Sequence, residues 1–181
     1  IASLKSVETY PTDLTEAQLS RLLPEVETYR ALATLGLDAP GLRPDLEKSI
    51  QEGLEVLLSR QNPDGGWGWT PGDESDLLVS AYALYGLSRA AGAGFDVNPR
   101  HIGVSQAYLA ANLPPLENLS NTAEFDRLAF EYFALRQSGN RDIIPGLLFD
   151  LRDRMNPWAK SLLALAMAND NPADERTREL L

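Results

Sequence analysis

The 181-residue sequence contains no cysteine and only one histidine, His101. The absence of cysteine excludes disulfides, thiolate metal sites and cysteine nucleophiles. With a single histidine, a zinc site built from the usual ligand types is not expected either. We therefore expect neither a metal nor a cofactor.

Long apolar runs and a surplus of basic residues are also lacking. No apolar stretch approaches the roughly 20 residues of a bilayer-spanning helix, so we expect no membrane insertion by this segment. The net charge of −10 has the wrong sign for nucleic-acid binding. A hydrophobic content of 44% with 23% charged residues is typical of one globular domain. Because there is no initiating Met and no leader pattern, we expect an excised segment of a longer protein.

Apolar residues recur at helical spacing almost throughout, and no alternating strand pattern is present. The sequence therefore predicts an all-α fold of antiparallel helical hairpins with short connections. Such hairpins form either an open solenoid or a closed alpha/alpha toroid, and the pattern alone leaves both open. The predicted helices are 1–9, 14–35, 44–60, 75–91, 99–112, 122–137, 142–153, 157–169 and 172–181.

Helix starts are marked by capping residues and prolines. The predicted caps are Asn156 and Asn171 before their prolines, Asn121 or Thr122, and Asp13 or Thr15, with Arg43-Pro44 opening another helix and Gly36 ending the first long one. Four apolar stripes are expected to face the core. Their members are Leu46, Ile50, Leu54, Leu57 and Leu58; Leu77, Ala81, Leu84 and Tyr85; Phe125, Leu128, Ala129 and Tyr132; and Trp158, Leu162, Leu165 and Ala166.

The most specific local feature is the turn Gln61-Asn-Pro-Asp-Gly-Gly-Trp-Gly-Trp69. Its glycines permit positive φ, and we expect both tryptophans to fold back as apolar plugs while Gln61 bonds the turn backbone. Turns of this composition are typical of alpha/alpha toroids, so we interpret this one as architectural. Its named members are Gln61, Asp64, Gly65, Gly66, Trp67 and Trp69.

An acidic cluster, Asp73-Glu74-Ser75-Asp76, follows this turn. Terpene cyclases place an acid cluster near such a position, and their chemistry requires a carboxyl with a raised pKa. Four polar residues before Leu77 are also what a helix N-terminus favours, and we favour capping. His101 lacks a plausible Cys or Ser partner and is interpreted as an ordinary surface or half-buried histidine.

Residues 10–17 read Tyr-Pro-Thr-Asp-Leu-Thr-Glu-Ala, and residues 18–24 continue Gln-Leu-Ser-Arg-Leu-Leu-Pro. This stretch resembles, without a gap, the start of the thioester domain of bacterial alpha-2-macroglobulins. The family pattern there is Tyr-Pro-Tyr-Gly-Cys-x-Glu-Gln, followed by x-x-Ser-Arg-x-x-Pro. Further similar segments lie at 50–54, 61–69, 80–82, 94–97 and 155–166.

This resemblance implies an alpha/alpha toroid, open as an arc in this segment, with 1–181 as one domain. A thioester domain is longer, so the chain corresponds to its N-terminal part. In the family, the Cys thiol and the Gln carboxamide condense into an internal thioester that acylates a target. Leu14 and Ala17 stand at those two positions, so the resemblance implies a degenerate motif without a thioester. Glu16 survives, and we interpret it as a carboxylate suited to the first turn of a helix.

The resemblance further implies a non-catalytic domain of an alpha-2-macroglobulin-like protein of the periplasm or cell surface. The expected partners are neighbouring domains of the parent protein and proteases, trapped non-covalently. We expect Leu14 to be partly exposed in this segment, beside other exposed apolar side chains. Two alternatives stay open: an alpha/alpha-toroid enzyme of the terpene cyclase or polysaccharide lyase type, and a generic helical-repeat binding module.

Overall fold

A computed structural model describes residues 13–181. Within this range the fold is all-helical, as predicted, and the only β-type pairing is one isolated bridge between Trp67 and Asp76. The predicted helix 1–9 lies outside the described residues. The α-helices are α1 (Thr15–Thr34), α2 (Arg43–Ser59), α3 (Leu77–Gly92), α4 (Pro99–Asn112), α5 (Thr122–Gln137), α6 (Pro157–Asp170) and α7 (Arg176–Glu179). Two 3₁₀ helices lie at Leu116–Asn118 and Pro145–Arg154.

The helices pack in two layers that follow an arc. Helices α1, α3, α5 and α6 lie side by side in this order. The second layer consists of α2 against α1, α4 against α3 and α5, and the long 3₁₀ helix against α5 and α6. Successive elements of the chain lie alternately in the first and the second layer, as they do in an alpha/alpha toroid. The arrangement agrees with the predicted fold class.

Three apolar clusters follow the arc and bury the facing stripes of these helices. The first joins α1, α2 and α3, the second α3, α4 and α5, and the third α5, the long 3₁₀ helix and α6. Ion pairs support the layers, and the best formed among the described residues joins Arg89 of α3 to Glu27 of α1 through two hydrogen bonds of 2.5 and 2.7 Å. Burial of these stripes is the dominant stabilising term of the fold.

Local signals account for several helix starts. Asp76 caps α3 by accepting from the N–H groups of Leu78 and Val79. Asn121 and Glu124 form a complete capping box at α5. The predicted cap by Asp13 or Thr15 is wrong, because Leu14 stands at the cap position of α1 and no side chain caps it.

Two predicted helices are shorter or of another type. Instead of the helix 142–153, the structure has the 3₁₀ helix Pro145–Arg154. It begins later than predicted because the Asn140 side chain accepts from the N–H groups of Asp142 and Ile143 and holds these residues in a turn. Instead of the helix 172–181 there is only α7, because Asn171 and Asp174 engage the next backbone N–H groups in the same way. Asn156 precedes α6, but its side chain bonds to Asp126 and does not cap the helix.

The fourth predicted core stripe is also wrong in part. Trp158 and Leu165 are each 53% exposed, whereas α6 buries the neighbouring face of Ala159, Leu163 and Met167. The exposed face of α6 starts with Trp158, in the first turn of the helix, close to the candidate site.

Candidate functional site

The helices α1, α3, α5 and α6 all begin on the same side of the molecule, and the turn 61–69 lies beside their first residues. The two segments meet at a backbone hydrogen bond of 2.9 Å, in which Thr15 N–H donates to the carbonyl oxygen of Trp69. The structure thus brings together the degenerate motif and the glycine-rich turn, which are separated by more than 40 residues in the chain.

Gln61 ties this turn to the start of α4. Its Nε2 donates to the carbonyl oxygens of Gly65 (2.9 Å) and His101 (3.1 Å), and its Oε1 lies 2.5 Å from His101 Nδ1. The predicted bond from Gln61 to the turn backbone is present. The sequence interpretation of His101 missed its contact with Gln61, which only the packing of α4 creates.

Trp67 is fully buried and anchors the turn in the first apolar cluster. Its Nε1–H donates to Leu57 O and its backbone N–H to Ser80 Oγ, both at 2.8 Å. Trp69 does not act as the predicted plug, because it is 43% exposed. The two tryptophans therefore serve different purposes, and only Trp67 belongs to the core.

Gly65 and Gly66 are required by close packing, Gly65 against α4 and Gly66 against both Ser75 and α4. Gly65 has φ +95°, and a Cβ there would lie 2.4 Å from Val104 O. A Cβ on Gly66 would lie within 2.8 Å of the Ser75 and Tyr108 side chains. Asp64 completes the turn by accepting from Gly66 N–H and Ser75 Oγ. These contacts support the architectural interpretation of the turn.

Two aspartates of the acidic cluster are used locally. Asp73 accepts from the hydroxyl and N–H of Thr70, and these bonds lower the pKa of Asp73. Asp76 caps α3. A proton donor for cyclisation chemistry requires the opposite shift, a raised pKa. The structure therefore supports the capping interpretation of this cluster.

The residues for which the sequence predicts a degenerate motif, Leu14 to Ala17, begin α1. Leu14 is 36% exposed, Ala17 is half-buried, and the exposed Glu16 accepts a hydrogen bond of 2.7 Å from Ser20 Oγ. Neither Leu14 nor Ala17 carries a nucleophile or a carboxamide, so these side chains cannot condense with each other. What the site offers is apolar surface.

An apolar groove of about 280 Å³ opens beside this motif. Tyr82 and Phe130 both line it and make an edge-to-face contact with ring centroids 6.3 Å apart. Trp69 and Trp158 reach it from the turn and from the start of α6. We call this the aromatic groove; it is lined by Glu16, Trp69, Leu78, Val79, Tyr82, Phe130 and Trp158.

Sequence analysis also missed Glu131. Its side chain is fully buried on α5, and neither carboxylate oxygen has a hydrogen-bond partner. Burial raises the pKa of Glu131 to about 7, with Arg127 opposing and Asp76 adding to the shift. The available signal was a glutamate placed between Phe130 and Tyr132 on a helix whose other face is apolar.

Neither a metal-binding cluster nor a membrane-spanning helix is found among the described residues. Among residues 13–181, no group of three or more His, Asp or Glu side chains is placed to hold a metal ion. Over the same range, no helix has both the length and the apolar character needed to cross a bilayer.

Comparison with protein-family models finds no match. In sequence, the chain is 38% identical over 95 residues to an alpha-2-macroglobulin of Thermotoga maritima. The matched stretch covers 52% of this chain and 6% of that protein. It is also 35% identical over 86 residues to a drimenyl diphosphate synthase of Streptantibioticus cattleyicolor, covering 45% of this chain and 16% of that enzyme. The chain therefore spans only a small part of either relative.

Solved structures match the fold over nearly the whole chain. The native conformation of Escherichia coli alpha-2-macroglobulin superposes with a TM-score of 0.77 at 22% identity, covering 98% of this chain and 12% of that one. A Salmonella alpha-2-macroglobulin reacted with methylamine gives a TM-score of 0.75 at 22% identity, with the same coverage. The predicted resemblance to bacterial alpha-2-macroglobulins is thus confirmed, while its assignment to the thioester domain stays a prediction: the chain is similar in sequence to a bacterial alpha-2-macroglobulin and has the fold of a helical part of these proteins.

Proposed function

We propose that this chain is a thioester-less domain of an alpha-2-macroglobulin-like protein, acting by non-covalent contact and not by acylation. The supporting observation is the pair Leu14 and Ala17 at the start of α1, where the family motif has the reacting cysteine and glutamine. A solved Salmonella relative has reacted with methylamine, and Escherichia coli relatives have been activated by trypsin and by porcine elastase. By analogy, the parent protein would trap proteases non-covalently or serve as a scaffold at the cell envelope.

The domain boundary is part of this proposal. Residues 1–181 would form the N-terminal part of a thioester-like toroid domain. The partners would be neighbouring domains of the parent protein and the protease itself.

Two alternative functions receive less support. Similarity to a drimenyl diphosphate synthase is compatible with a toroid enzyme. However, the carboxylates of Asp73 and Asp76 are occupied by Thr70 and by the start of α3. A generic binding module explains the fold but not the motif at residues 10–24. We therefore propose a non-enzymatic role.

The decisive experiment is incubation of the chain with methylamine followed by intact-mass measurement. We expect an unchanged mass, because no acyl group is held on a leaving thiol. The Salmonella relative, treated in parallel, serves as the positive control. A stoichiometric adduct that maps to residues 10–20 would refute the proposal.

A second experiment tests Leu14 as a contact residue. Leu14→Asp is not expected to lower the free energy of unfolding of this chain, because the position is 36% exposed and an aspartate at this N-cap position can accept from N–H groups in the first turn of α1, a gain of roughly 1 kcal/mol. In the full-length parent, the same change should weaken docking of this domain. A large loss of stability in the isolated chain would instead assign Leu14 to the core.

A further inference from the structure

Glu131 and Arg127 lie one turn apart on the same face of α5. Side chains four residues apart on a helix are neighbours, with their Cβ atoms about 5–6 Å apart. Glu131 is fully buried and neither of its carboxyl oxygens has a hydrogen-bond partner, while the Arg127 side chain is 45% exposed. A carboxyl in such a position is tolerated in its neutral form, because an unpaired charge is strongly disfavoured in an apolar interior. Ionisation of Glu131 therefore calls for a cation.

Arg127 already has a partner, but the pair is weak. Its Nη2 lies 3.9 Å from Oδ2 of Asp76, which is longer than a hydrogen bond. Asp76 uses its other oxygen, Oδ1, to accept from the N–H groups of Leu78 and Val79 at the start of α3. The ion pair thus joins α5 to α3 without taking part in the cap. Partly exposed pairs of this kind contribute little to stability, so a better partner can displace them.

The titratable groups around Glu131 come from three helices. Burial is the main cause that raises the pKa of Glu131, to about 7; Arg127 of the same helix opposes this shift, and Asp76 at the start of α3 adds to it. Tyr108 of α4 and Tyr132 of α5 also face Glu131 electrostatically. Burial is the main cause that raises the pKa of each tyrosine, and Glu131 adds to it.

Other charged side chains on the elements packed against α5 are engaged elsewhere or exposed. Arg89 of α3 pairs with Glu27, and on α4 His101 contacts Gln61 while Arg100 is exposed. The long 3₁₀ helix and α6 pack against another face of α5, in the third apolar cluster, and their charged residues are Asp150, Arg152, Asp153, Arg154, Lys160 and Asp170. Among the described residues, Arg127 is the cation whose charge acts on Glu131.

We propose that Arg127 exchanges partners when Glu131 ionises: it pairs with Asp76 while Glu131 is protonated, and with Glu131 once that carboxyl is charged. A link between α3 and α5 is thereby replaced by a pair within α5. The cap of α3 remains, since Oδ1 of Asp76 keeps its two N–H groups. The ionic link between the two helices is therefore present at low pH and lost at high pH, which makes it a pH-sensitive contact beside the candidate site.

A double-mutant cycle at two pH values tests this exchange. The variants are Asp76→Asn, which retains a capping side chain, Arg127→Gln and the double variant, and urea denaturation of the 181-residue chain gives the unfolding equilibrium constant of each. At about pH 5.5 the coupling between the two positions should change this constant roughly two- to fivefold. At about pH 8.5, above the Glu131 pKa of about 7, the coupling should vanish. In a Glu131→Gln background it should persist at both pH values.

Equal coupling at the two pH values in the parent chain, or no coupling at either, would overturn the inference. NMR then follows the two side chains directly. The carbon-13 signal of the Glu131 carboxyl is identified by its loss in Glu131→Gln, and the Nε–H signal of Arg127 by its loss in Arg127→Gln. Both signals should shift with the same midpoint, and the Arg127 shift should be absent from Glu131→Gln.

A matched arginine variant completes the test. Arg127→Gln should raise the titration midpoint of Glu131 by about one pH unit, because the nearby positive charge is lost. Arg178→Gln removes an exposed arginine of α7 and should leave the midpoint unchanged. An Arg127 signal that stays constant while Glu131 titrates, or a Glu131 midpoint that is the same in Arg127→Gln, would show that no exchange takes place.

Discussion

Trp67 Nε1–H donates to the carbonyl oxygen of Leu57 at 2.8 Å, inside the first apolar cluster. This bond joins the glycine-rich turn to the last turn of α2. The tryptophan is fully buried, and its Nε1–H shares the Leu57 carbonyl oxygen with the N–H of Arg60, the residue that ends α2. Because of this hydrogen bond and the burial of the Trp67 ring, the turn contributes to stability as well as to chain reversal.

Replacing Trp67 should therefore destabilise the fold strongly. We expect Trp67→Ala to lower the free energy of unfolding by about 3–5 kcal/mol, through lost burial and a cavity, as measured by urea denaturation. Trp69→Ala is the matched control, because this tryptophan is 43% exposed and its loss should cost about 1 kcal/mol or less. Equal losses for both variants would contradict the assignment of Trp67 alone to the core.

Gly65 should tolerate no side chain. In Gly65→Ala the new Cβ would meet Val104 O at 2.4 Å in a backbone with φ +95°, so we expect a loss of about 2 kcal/mol or more. Gly72→Ala isolates the conformational contribution, since Gly72 has φ +88° and no atom within 4 Å of the added carbon. Its cost should be about 1 kcal/mol. If thermal melts show the same loss for the two variants, the close approach of α4 is not what requires Gly65.

Glu131 should make the stability depend on pH. Its folded-state pKa of about 7 exceeds the ordinary 4.5, so between these values the folded chain holds a proton that the unfolded chain has released. The free energy of unfolding should therefore fall as the pH rises from about 4.5 to 7, by at most about 3 kcal/mol from this group.

Glu131→Gln should remove this decline and make the variant more stable than the parent chain at pH 8. The measurement is urea denaturation at pH 5, 6, 7 and 8. Glu55→Gln removes a carboxylate from the exposed surface of α2 and serves as the control for the change in net charge. A decline of the same size in Glu131→Gln would show that other groups cause it.

The chain's lack of cysteine allows Leu14 to be probed by a single introduced thiol. Leu14→Cys should react rapidly with a maleimide, because the position is 36% exposed at the start of α1. Val26→Cys places the same group on the fully buried face of α1 and should react far more slowly under native conditions. Labelling followed by mass spectrometry compares the two rates. Similar slow rates would place Leu14 inside the domain.

Helices with strong local signals were predicted almost to the residue. The predicted ranges 99–112 and 122–137 coincide with α4 and α5, and in the structure the side chains of Asn98 and Asn121 cap these helices by bonds within a single turn of the chain. Prediction of a cap failed where the side chain had an alternative hydrogen-bond partner. Asn156 binds Asp126 of α5 and does not cap its own helix, and no pattern within residues 150–160 indicates that choice.

The candidate site also has some features that follow from residue identity and others that depend on tertiary contacts. The residue types at positions 14 and 17 exclude a thioester in any fold, because the reacting groups are missing. That Trp67 is buried while Trp69 is exposed depends on which of the two faces the cluster between α1, α2 and α3. The periodicity of α6 likewise indicates an apolar helix but does not say which side of it a neighbour covers.

Helical periodicity was thus sufficient for the all-α class, since it depends on contacts within a few residues, and residue identity alone determines that positions 14 and 17 carry no thiol and no carboxamide. The aromatic groove and the buried Glu131 required the folded chain. The groove is assembled from α1, the turn, α3, α5 and α6, and the isolation of Glu131 from hydrogen-bond partners results from helices packing around it. Both are products of long-range packing, which no local stretch of sequence encodes by itself.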